Sequence, residues 1–237
     1  MKGVILAAGD GTRLVPLTLN CPKLLLTVSG RPLLDYTIEA FVEAGIRELV
    51  LVIGYKSEMI KQHVGDGSRY GARVEYVFNP YYILGNALSV YSAHENVGEE
   101  HFILAMADHM ICPHILEVLL AERDGLDTLC VDRQAQAPPQ VKDATRVWVN
   151  DKGFIVRIGK GIEHWNAIDT GVFLFTRHIF AAISQLPHSG DNGCGISDAV
   201  TWLIRKGHGM RACEVSGAFW MDVDTPEDLR YAQDQVG

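Results

Sequence analysis

Short apolar runs alternate with amphipathic segments along the first half of the chain, and this alternation constrains the fold most strongly. The runs predict buried strands because they are nearly continuous in apolar residues, as expected where helices cover both faces of a sheet. The strands are predicted at 2–8, 48–54, 73–79 and 101–107, and the helices near 32–45, 56–64 and 113–123. Strands that alternate with helices in this way indicate a largely parallel sheet with right-handed crossovers.

The second half of the chain has a different pattern. It predicts strands at 127–132, 145–150, 154–159 and 171–176, a hairpin turn at 150–153, and helices near 177–186 and 196–206. A last helix follows Thr225, with Pro226 at its first position and Asp228 three residues after the cap. We therefore predict one α/β domain over 1–237, made of a first half (1–126) and a second half (127–237) that adds an antiparallel hairpin region.

The composition excludes several classes of protein. With 21 Lys and Arg against 29 Asp and Glu, the net charge is −8, which argues against a protein that holds a nucleic-acid backbone. The five cysteines are odd in number and form no CxxC pair, so we expect reduced thiols and a cytoplasmic location. No apolar stretch approaches the ~20 residues that span a bilayer, so we expect no membrane insertion.

A glycine-rich loop directly after the first predicted strand is the sharpest chemical feature. Gly9 and Gly11 let backbone amides approach a bound anion closely, and Thr12 can add a hydroxyl donor. Arg13 supplies a fork of donors suited to phosphate oxygens, and Lys23 supplies a second charge ten residues later. No carboxylate occurs between Gly11 and residue 34, although the whole chain is acidic. This local reversal of charge predicts a polyphosphate site.

Two known types of glycine-rich loop fit this sequence less well. A Rossmann dinucleotide fingerprint would have a third glycine where this chain has Leu14, which disfavours a nicotinamide-dependent oxidoreductase. The Walker A spacing GxxxxGK[ST] does not occur either. An ordinary strand-to-loop turn would explain the glycines but not the cations that follow them.

Three aspartates are candidates for holding a divalent cation. Asp108 follows the run 101–107, at the carboxyl edge where open α/β sheets place their ligands, and a carboxylate there suits Mg²⁺. Asp222 and Asp224 lie two residues apart, so an extended backbone would point both carboxylates to the same face. We interpret His109, beside Asp108, as a structural neighbour of the site rather than as a base or a ligand.

Together these motifs resemble the signature of a known family. The glycine loop reads LAAGDGTRLVPLT and continues as PKLLLTVSGRPLL, and further similarity lies in LAMADHM, in IGK at 158–160 and in FWMDVDTPEDL. The pattern resembles the nucleotidyltransferases that join a nucleoside triphosphate to a sugar phosphate or polyol phosphate. The resemblance implies a Rossmann-like fold of GT-A type, a mixed but mainly parallel sheet with helices on both faces, small-molecule substrates, Mg²⁺ as cofactor and release of pyrophosphate.

The resemblance also implies a role for each candidate residue. In the first half, the nucleotide would be bound by Leu6, Ala8, Gly9, Gly11, Thr12, Gly85, Asn86 and Ser89. The catalytic cations would be Arg13, Lys23 and Lys160. The metal would be held by Asp108 and Asp224, with Asp222 as the alternative or the partner of Asp224. In the second half, the acceptor would be bound by Lys142, Asp169 and Thr170.

Base and acceptor are indicated by finer similarities. The stretch NPYYILGNALSVYSA resembles cytidylyltransferases and favours CTP, and together with Asp169-Thr170-Gly171 it is similar to enzymes that act on inositol-1-phosphate. Asn86 is then either a residue that reads the base or an ordinary N-cap, and the sequence leaves both open. Members that use hexose-1-phosphates usually carry Glu-Lys-Pro where this chain has Ile158-Gly159-Lys160.

Several alternatives stay open from the sequence. One alternative is a cytidylyltransferase for choline phosphate or aminoethylphosphonate. Another is an enzyme that joins a hexose-1-phosphate to UTP, dTTP or GTP. A non-catalytic nucleotide-sensing subunit is the alternative from a different class. The sequence also leaves open whether the chain forms a homo-oligomer.

Overall fold

One mixed sheet runs through the chain in this computed structural model, which describes residues 1–98, 101–122, 124–135, 137–187 and 193–236. The described strands are β1 (Gly3–Ala7), β2 (Thr27–Val28), β3 (Arg31–Pro32), β4 (Glu48–Ile53), β5 (Arg73–Phe78), β6 (Phe102–Met106), β7 (His109–Ile111), β8 (Asp127–Asp132), β9 (Arg146–Val149), β10 (Ile155–Gly159), β11 (Ala167–Phe175), β12 (Met210–Glu214) and β13 (Trp220–Asp222). The described helices are α1 (Leu33–Glu43), α2 (Ser57–Val64), α3 (Asn86–Ser92), α4 (Pro113–Ala121), α5 (Pro138–Val141), α6 (His178–Ser184), α7 (Ile196–Arg205) and α8 (Pro226–Val236).

The sheet is mainly parallel, as predicted. Its nine strands follow the order β10-β9-β11-β6-β1-β4-β5, with β8 also paired to β11 and β12 paired to β8. Within these described strands only β11 and β10 run against the rest, so seven of the nine share one direction. The predicted hairpin is confirmed as β9 and β10, joined through the turn at 150–153.

Helices cover both faces of the sheet, which explains why its strands are apolar on both sides. In β1, Val4 and Leu6 pack into one hydrophobic cluster, while Ile5 and Ala7 pack into the cluster on the other face. The first cluster also takes residues from α3, α6 and α7, and the second takes residues from α1, α2 and α4. Full burial of such strands excludes water from both faces and stabilises the sheet by the hydrophobic effect.

The boundaries differ from the sequence prediction mainly at β11. The predicted strand 171–176 begins four residues earlier, at Ala167, so Asp169 and Thr170 lie inside a strand rather than in a loop before it. Helix α4 ends at Ala121, and residue 123 of the predicted helix lies outside the described residues. The division into halves at 126 and 127 stays a prediction. Among the described helices, none has the length and apolar character that a bilayer crossing requires.

The topology brings the chemical motifs to one edge of the sheet. The neighbouring parallel strands β1 and β6 lead, at their carboxyl ends, into the glycine loop and into Asp108. A separate two-stranded ladder pairs β7 with β13 and sets Asp222 opposite His109. Because this ladder follows Asp108 directly, it brings the last motif of the chain beside the motif in its middle.

Candidate active site

Two adjoining cavities open at the carboxyl edge of the sheet. The smaller, about 220 Å³, is lined by the glycine loop, and the larger, about 620 Å³, lies on the side of β10 and β11. Their shared walls include Arg13, Asn86, Asp108 and Asp224. A charged cluster therefore stands at the junction of the two cavities.

The glycine loop forms the smaller cavity, as the sequence predicts. Its lining includes Leu6, Ala8, Gly9, Gly11 and Thr12. Gly11 has a left-handed backbone with φ 65°, and a Cβ there would lie 2.6 Å from Cβ of Lys23. A glycine at this position therefore provides both the turn and the room for Lys23 to pack against the loop.

The predicted catalytic cations contact the predicted metal carboxylates directly. The Nζ atom of Lys23 lies 2.8 Å from Oδ2 of Asp108 and 2.5 Å from Oδ1 of Asp224. Arg13 pairs with the other oxygen of Asp224. Lys23 is nearly inaccessible, with 6 % of its side chain exposed. Residues 13, 23, 108 and 224 thus converge although they are far apart in the sequence.

This pairing sets the protonation of the cluster. Burial alone would lower the pKa of Lys23, but Asp108 and Asp224 outweigh it and the pKa is raised. Burial would likewise raise the pKa of Asp224, yet the Lys23 and Arg13 charges hold it at about 2. At neutral pH the cluster therefore contains a charged Lys23 beside the ionised Asp224 carboxylate.

Asp222 has a different environment from Asp224. Burial and the nearby Asp108 charge raise the pKa of Asp222 to about 7, although His109 and Lys23 oppose the shift. Oδ1 of Asp108 and Oδ1 of Asp222 are buried and have no hydrogen-bond partner among the described residues. Buried carboxylate oxygens without a partner are costly, and a divalent cation would satisfy them.

The residues therefore fit a metal, and their contacts favour Asp222 over Asp224, the choice that the sequence left open. Both oxygens of Asp224 are engaged by Lys23 and Arg13, whereas Asp222 keeps an unpaired oxygen. Asp108, His109 and Asp222 can offer three ligand atoms within 4.8 Å of one another. We take Asp108 and Asp222 as the pair suited to a divalent cation.

The larger cavity holds most of the predicted acceptor residues. Lys142, Lys160 and Asp169 line it, together with Asp222. Burial raises the pKa of Asp169 to about 6, against the hydrogen bond that Asp169 accepts from the Gly171 N–H. Thr170 is completely buried, and its hydroxyl donates to the Cys130 carbonyl 2.9 Å away. Its side chain thus faces the protein interior and not the larger cavity, so Thr170 does not contribute a hydroxyl to the acceptor site.

Asn86 has a role that neither reading of the sequence foresaw. It is the first residue of α3, and its Oδ1 accepts a hydrogen bond of 2.9 Å from the Ile196 N–H, the first residue of α7. It therefore caps a neighbouring helix rather than its own.

Ser89 lines the smaller cavity and accepts a hydrogen bond of 2.9 Å from Nδ2 of Asn79. A Cβ at Gly85 would overlap the backbone of Cys194, so close packing explains that glycine.

Some walls of the larger cavity were missed in the sequence. The start of α7 contributes Gly195 and Asp198, and the Asp198 carboxylate accepts the Gly195 N–H. A residue with an acidic partner three positions later is a helix-start signal, so this spacing could have been recognised. The fold brings that helix start to the site through Asn86, a long-range contact that the local sequence does not reveal.

Comparison with known proteins gives matches over nearly the whole chain. The sequence pattern described as "Nucleotidyl transferase" matches residues 2–237. The chain is 31 % identical over its whole length to the low-salt glycan biosynthesis nucleotidyltransferase Agl11 of Haloferax volcanii, covering 66 % of that protein. It is 33 % identical over 98 % of its length to the bifunctional IPC transferase and DIPP synthase of Rubrobacter xylanophilus, and spans about half (51 %) of that protein.

One further relative and one solved structure are matched over nearly their full length. The UTP–glucose-1-phosphate uridylyltransferase AglF of Haloferax volcanii is 32 % identical, with 100 % of this chain and 96 % of the relative covered. The structure of the inositol-1-phosphate CTP transferase from T. maritima superimposes with a TM-score of 0.86 at 24 % identity, over 100 % of this chain and 96 % of that chain. This similarity establishes the Rossmann-like fold, and the match over residues 2–237 shows that the chain belongs to the nucleotidyl transferase family.

Proposed function

We propose that this chain joins a nucleoside triphosphate to a phosphorylated polyol and releases pyrophosphate, with CTP and inositol-1-phosphate as the substrates. The observation that carries the proposal is the cluster of Arg13, Lys23, Asp108 and Asp224 at the junction of the two cavities. One cavity has the backbone loop of a phosphate site, and the other is lined by Lys142 and Lys160. A reaction between two phosphates needs both, together with charges between them.

Mutual repulsion of the substrates is the main physical obstacle. A phosphate monoester alone carries about −1.5 to −2 charge at neutral pH, and the triphosphate is also strongly anionic. Since the acceptor oxygen is already ionised, neither a general base nor a protein nucleophile is required. Catalysis then depends on neutralising and aligning the two anions before they react.

The residues divide this work between the cavities. Arg13 and the amides of the glycine loop bind the β- and γ-phosphates, which leave as pyrophosphate. Lys23 stabilises the α-phosphate as negative charge builds up during attack. Lys160 and Lys142 position the acceptor phosphate, one oxygen of which forms the new bond to the α-phosphorus while the α–β phosphoanhydride bond breaks. Asp169 accepts hydrogen bonds from acceptor hydroxyls.

A divalent cation completes the neutralisation in this proposal. Asp108 and Asp222 would hold it, because each has a buried oxygen without a partner. When bound, Mg²⁺ would offset the charge of the phosphate oxygens that meet at the junction. The protein residues keep their own tasks, since Lys23 and Arg13 approach from the glycine-loop side and Lys160 from the side of β10.

Support for CTP and inositol-1-phosphate is separate from the support for the reaction type. It comes from the resemblance in residues 79–93 and 158–160, from relatives named IPC transferase, and from the T. maritima neighbour named for inositol-1-phosphate and CTP. The alternative of a hexose-1-phosphate with UTP is favoured by the 96 % coverage of AglF. Cytoplasmic location and homo-oligomerisation stay predictions.

The test is a matrix of pyrophosphate release. CTP, UTP, dTTP, GTP and ATP are each combined with inositol-1-phosphate, choline phosphate, aminoethylphosphonate and hexose-1-phosphates in the presence of Mg²⁺. We expect CTP with inositol-1-phosphate to give the highest kcat/KM. A higher value for a hexose-1-phosphate with UTP or dTTP would overturn the specificity. Nucleotide binding without turnover of any pair would support a nucleotide-sensing subunit.

A further inference from the structure

The imidazole of His109 is held in one orientation by its surroundings. Its Nδ1 lies 2.8 Å from the Thr170 carbonyl oxygen. Because a carbonyl can only accept, Nδ1 carries a hydrogen and donates it. The ring stacks on Trp220, with 6.3 Å between ring centroids, and a Cβ at Gly171 would overlap it. Nε2 is therefore the ring atom that is directed toward the carboxylates.

Nε2 faces one oxygen of each carboxylate, and in Asp108 that oxygen is the one without a partner. It lies 3.8 Å from Oδ2 of Asp222 and 4.0 Å from Oδ1 of Asp108. Both distances exceed a hydrogen bond, so Nε2 is not hydrogen-bonded to either carboxylate. Oδ1 of Asp108 and Oδ1 of Asp222 are buried without a partner among the described residues.

These separations suit a single ion. Nitrogen and oxygen ligands lie about 2.0–2.2 Å from ions such as Zn²⁺ or Mg²⁺, so two ligands of one ion are at most about 4.4 Å apart. The distances from Nε2 to the two carboxylates are within that limit. Metal-binding histidines usually donate the hydrogen of their other ring nitrogen to a carboxylate or a backbone carbonyl, which fixes the ring. The hydrogen bond from Nδ1 to the Thr170 carbonyl is of this kind.

We infer that His109 is a protein ligand of the divalent cation, through Nε2, beside Asp108 and Asp222. This assignment rests on the proposed function, because it concerns the metal of that reaction, and it revises the structural role predicted for His109 from the sequence. A nitrogen ligand favours transition ions over Mg²⁺, which prefers oxygen. The site would therefore bind Co²⁺ or Zn²⁺ more tightly than Mg²⁺, and Mn²⁺ would also enter it.

The direct test is electron spin echo modulation spectroscopy of Mn²⁺ bound to the wild-type protein without nucleotide. The sample is kept at about pH 8.5, because Mn²⁺ and a proton compete for Nε2. We expect modulation from a directly coordinated ¹⁴N nucleus, and loss of that modulation in His109→Asn. Bound Mn²⁺ without nitrogen modulation in the wild-type protein would overturn the assignment.

Metal affinity gives an independent readout. Calorimetric titration with Co²⁺ and with Mg²⁺ compares the wild-type protein, His109→Asn and the control His114→Asn, whose side chain is 67 % exposed on α4. We expect His109→Asn to lose about 10–100-fold in Co²⁺ affinity and much less in Mg²⁺ affinity. His114→Asn should match the wild type. An equal loss for both ions in His109→Asn would indicate a structural role and overturn the assignment.

Failure of this inference and failure of the proposed function can be told apart. Pyrophosphate release with Mg²⁺ but no nitrogen modulation with Mn²⁺ would leave the reaction intact and remove His109 from the metal site. Nitrogen modulation without pyrophosphate release from any substrate pair would keep His109 as a ligand and remove the proposed reaction.

Discussion

Lys23 bridges Asp108 and Asp224 while it is almost completely buried. In the proposed reaction the same ammonium group must contact the α-phosphate. The carboxylates therefore serve as partners for Lys23 before the substrate arrives, and the positive charge of Lys23 lies beside the pair that suits a metal. A lysine in this position prepares the phosphate site. It also weakens the binding of a divalent cation when no nucleotide is bound.

Replacing Lys23 separates these two effects. In Lys23→Met we expect kcat to fall by about 10²–10³-fold, because a preorganised contact to the developing charge is lost. We also expect Mn²⁺ to bind about tenfold more tightly without nucleotide, because a positive charge beside Asp108 is removed. Stopped-flow pyrophosphate release and Mn²⁺ titration measure the two changes. The control is Lys61→Met, a surface lysine paired with Glu58. Unchanged kcat in Lys23→Met would exclude the role given to Lys23.

Asp169 gives a pH-dependent prediction. Its pKa is raised from 3.8 to about 6 in the folded protein by burial. Between these values the folded state keeps a proton that the unfolded state has lost, so the free energy of unfolding falls as pH rises. Asp169→Asn cannot ionise but can still accept the Gly171 N–H. We expect the stability of the variant, relative to wild type, to increase by about 2 kcal/mol from about pH 4 to about pH 7.

Urea unfolding at several pH values measures this difference. If the wild-type protein and Asp169→Asn show parallel pH dependence, Asp169 does not hold a raised pKa. The same variant should raise KM for the acceptor more than KM for CTP, since Asp169 lines the acceptor cavity.

At the level of residues, the sequence predicted the convergence of Arg13, Lys23, Asp108 and Asp224 well. It did so because each lies next to a local signal, such as a glycine loop or the end of a strand. The relation between Asp222 and His109 was not predictable, because it depends on the register of β13 against β7. That register decides which carboxylate oxygens have a hydrogen-bond partner. The spacing of the aspartates in the sequence does not.

Among the elements, helix α8 fixes the backbone of the last motif. Oδ2 of Asp228 accepts hydrogen bonds from the Thr225 N–H at 2.7 Å and from the Asp224 N–H at 3.1 Å, and the Asp228 N–H donates back to the Thr225 hydroxyl at 3.2 Å. This reciprocal cap satisfies donors that a helix start leaves free. It also holds Asp224 in position to meet Lys23.

Removal of the cap should therefore be measurable as lost stability. We expect Asp228→Ala to lower the free energy of unfolding by about 1–2 kcal/mol, because the first turn of α8 loses its acceptor. Arg230→Ala, an exposed change in the same helix, should alter it by less than about 0.5 kcal/mol. Urea denaturation compares the two variants. Equal effects of both changes would show that the cap contributes nothing specific.

The elements were predicted closely where the pattern is local. The cap of α8 and the hairpin of β9 and β10 follow from turn and capping residues that act over a few positions. The early start of β11 was missed because its first residues pair with β8 and β9, and those pairings are long-range. The contact between Asn86 and Ile196 was missed for the same reason, since the two residues are 110 positions apart.

For the whole molecule, β11 joins the parts of the chain that the sequence divided in two. It pairs with β8 of the second half along one edge, and with β6 of the first half and β9 of the second half along the other. The two main hydrophobic clusters also contain residues from both halves. Neither half can keep its part of the sheet covered without the other.

We therefore expect thermal unfolding to be a single cooperative transition. Differential scanning calorimetry should give a van't Hoff enthalpy equal to the calorimetric enthalpy, as for one folding unit. Two resolved transitions, or a van't Hoff enthalpy well below the calorimetric one, would instead show that the halves unfold independently.

In the proposed reaction, the charged cluster brings two phosphates together and the nucleotidyl group passes from one to the other. ³¹P NMR of the wild-type protein with CTP, inositol-1-phosphate and Mg²⁺ follows each phosphorus directly. We expect the triphosphate signals to decline while inorganic pyrophosphate and a new diphosphate diester appear in equal amounts. Unchanged spectra with every combination of nucleoside triphosphate and phosphate acceptor, or release of pyrophosphate without any diphosphate diester, would contradict this reaction.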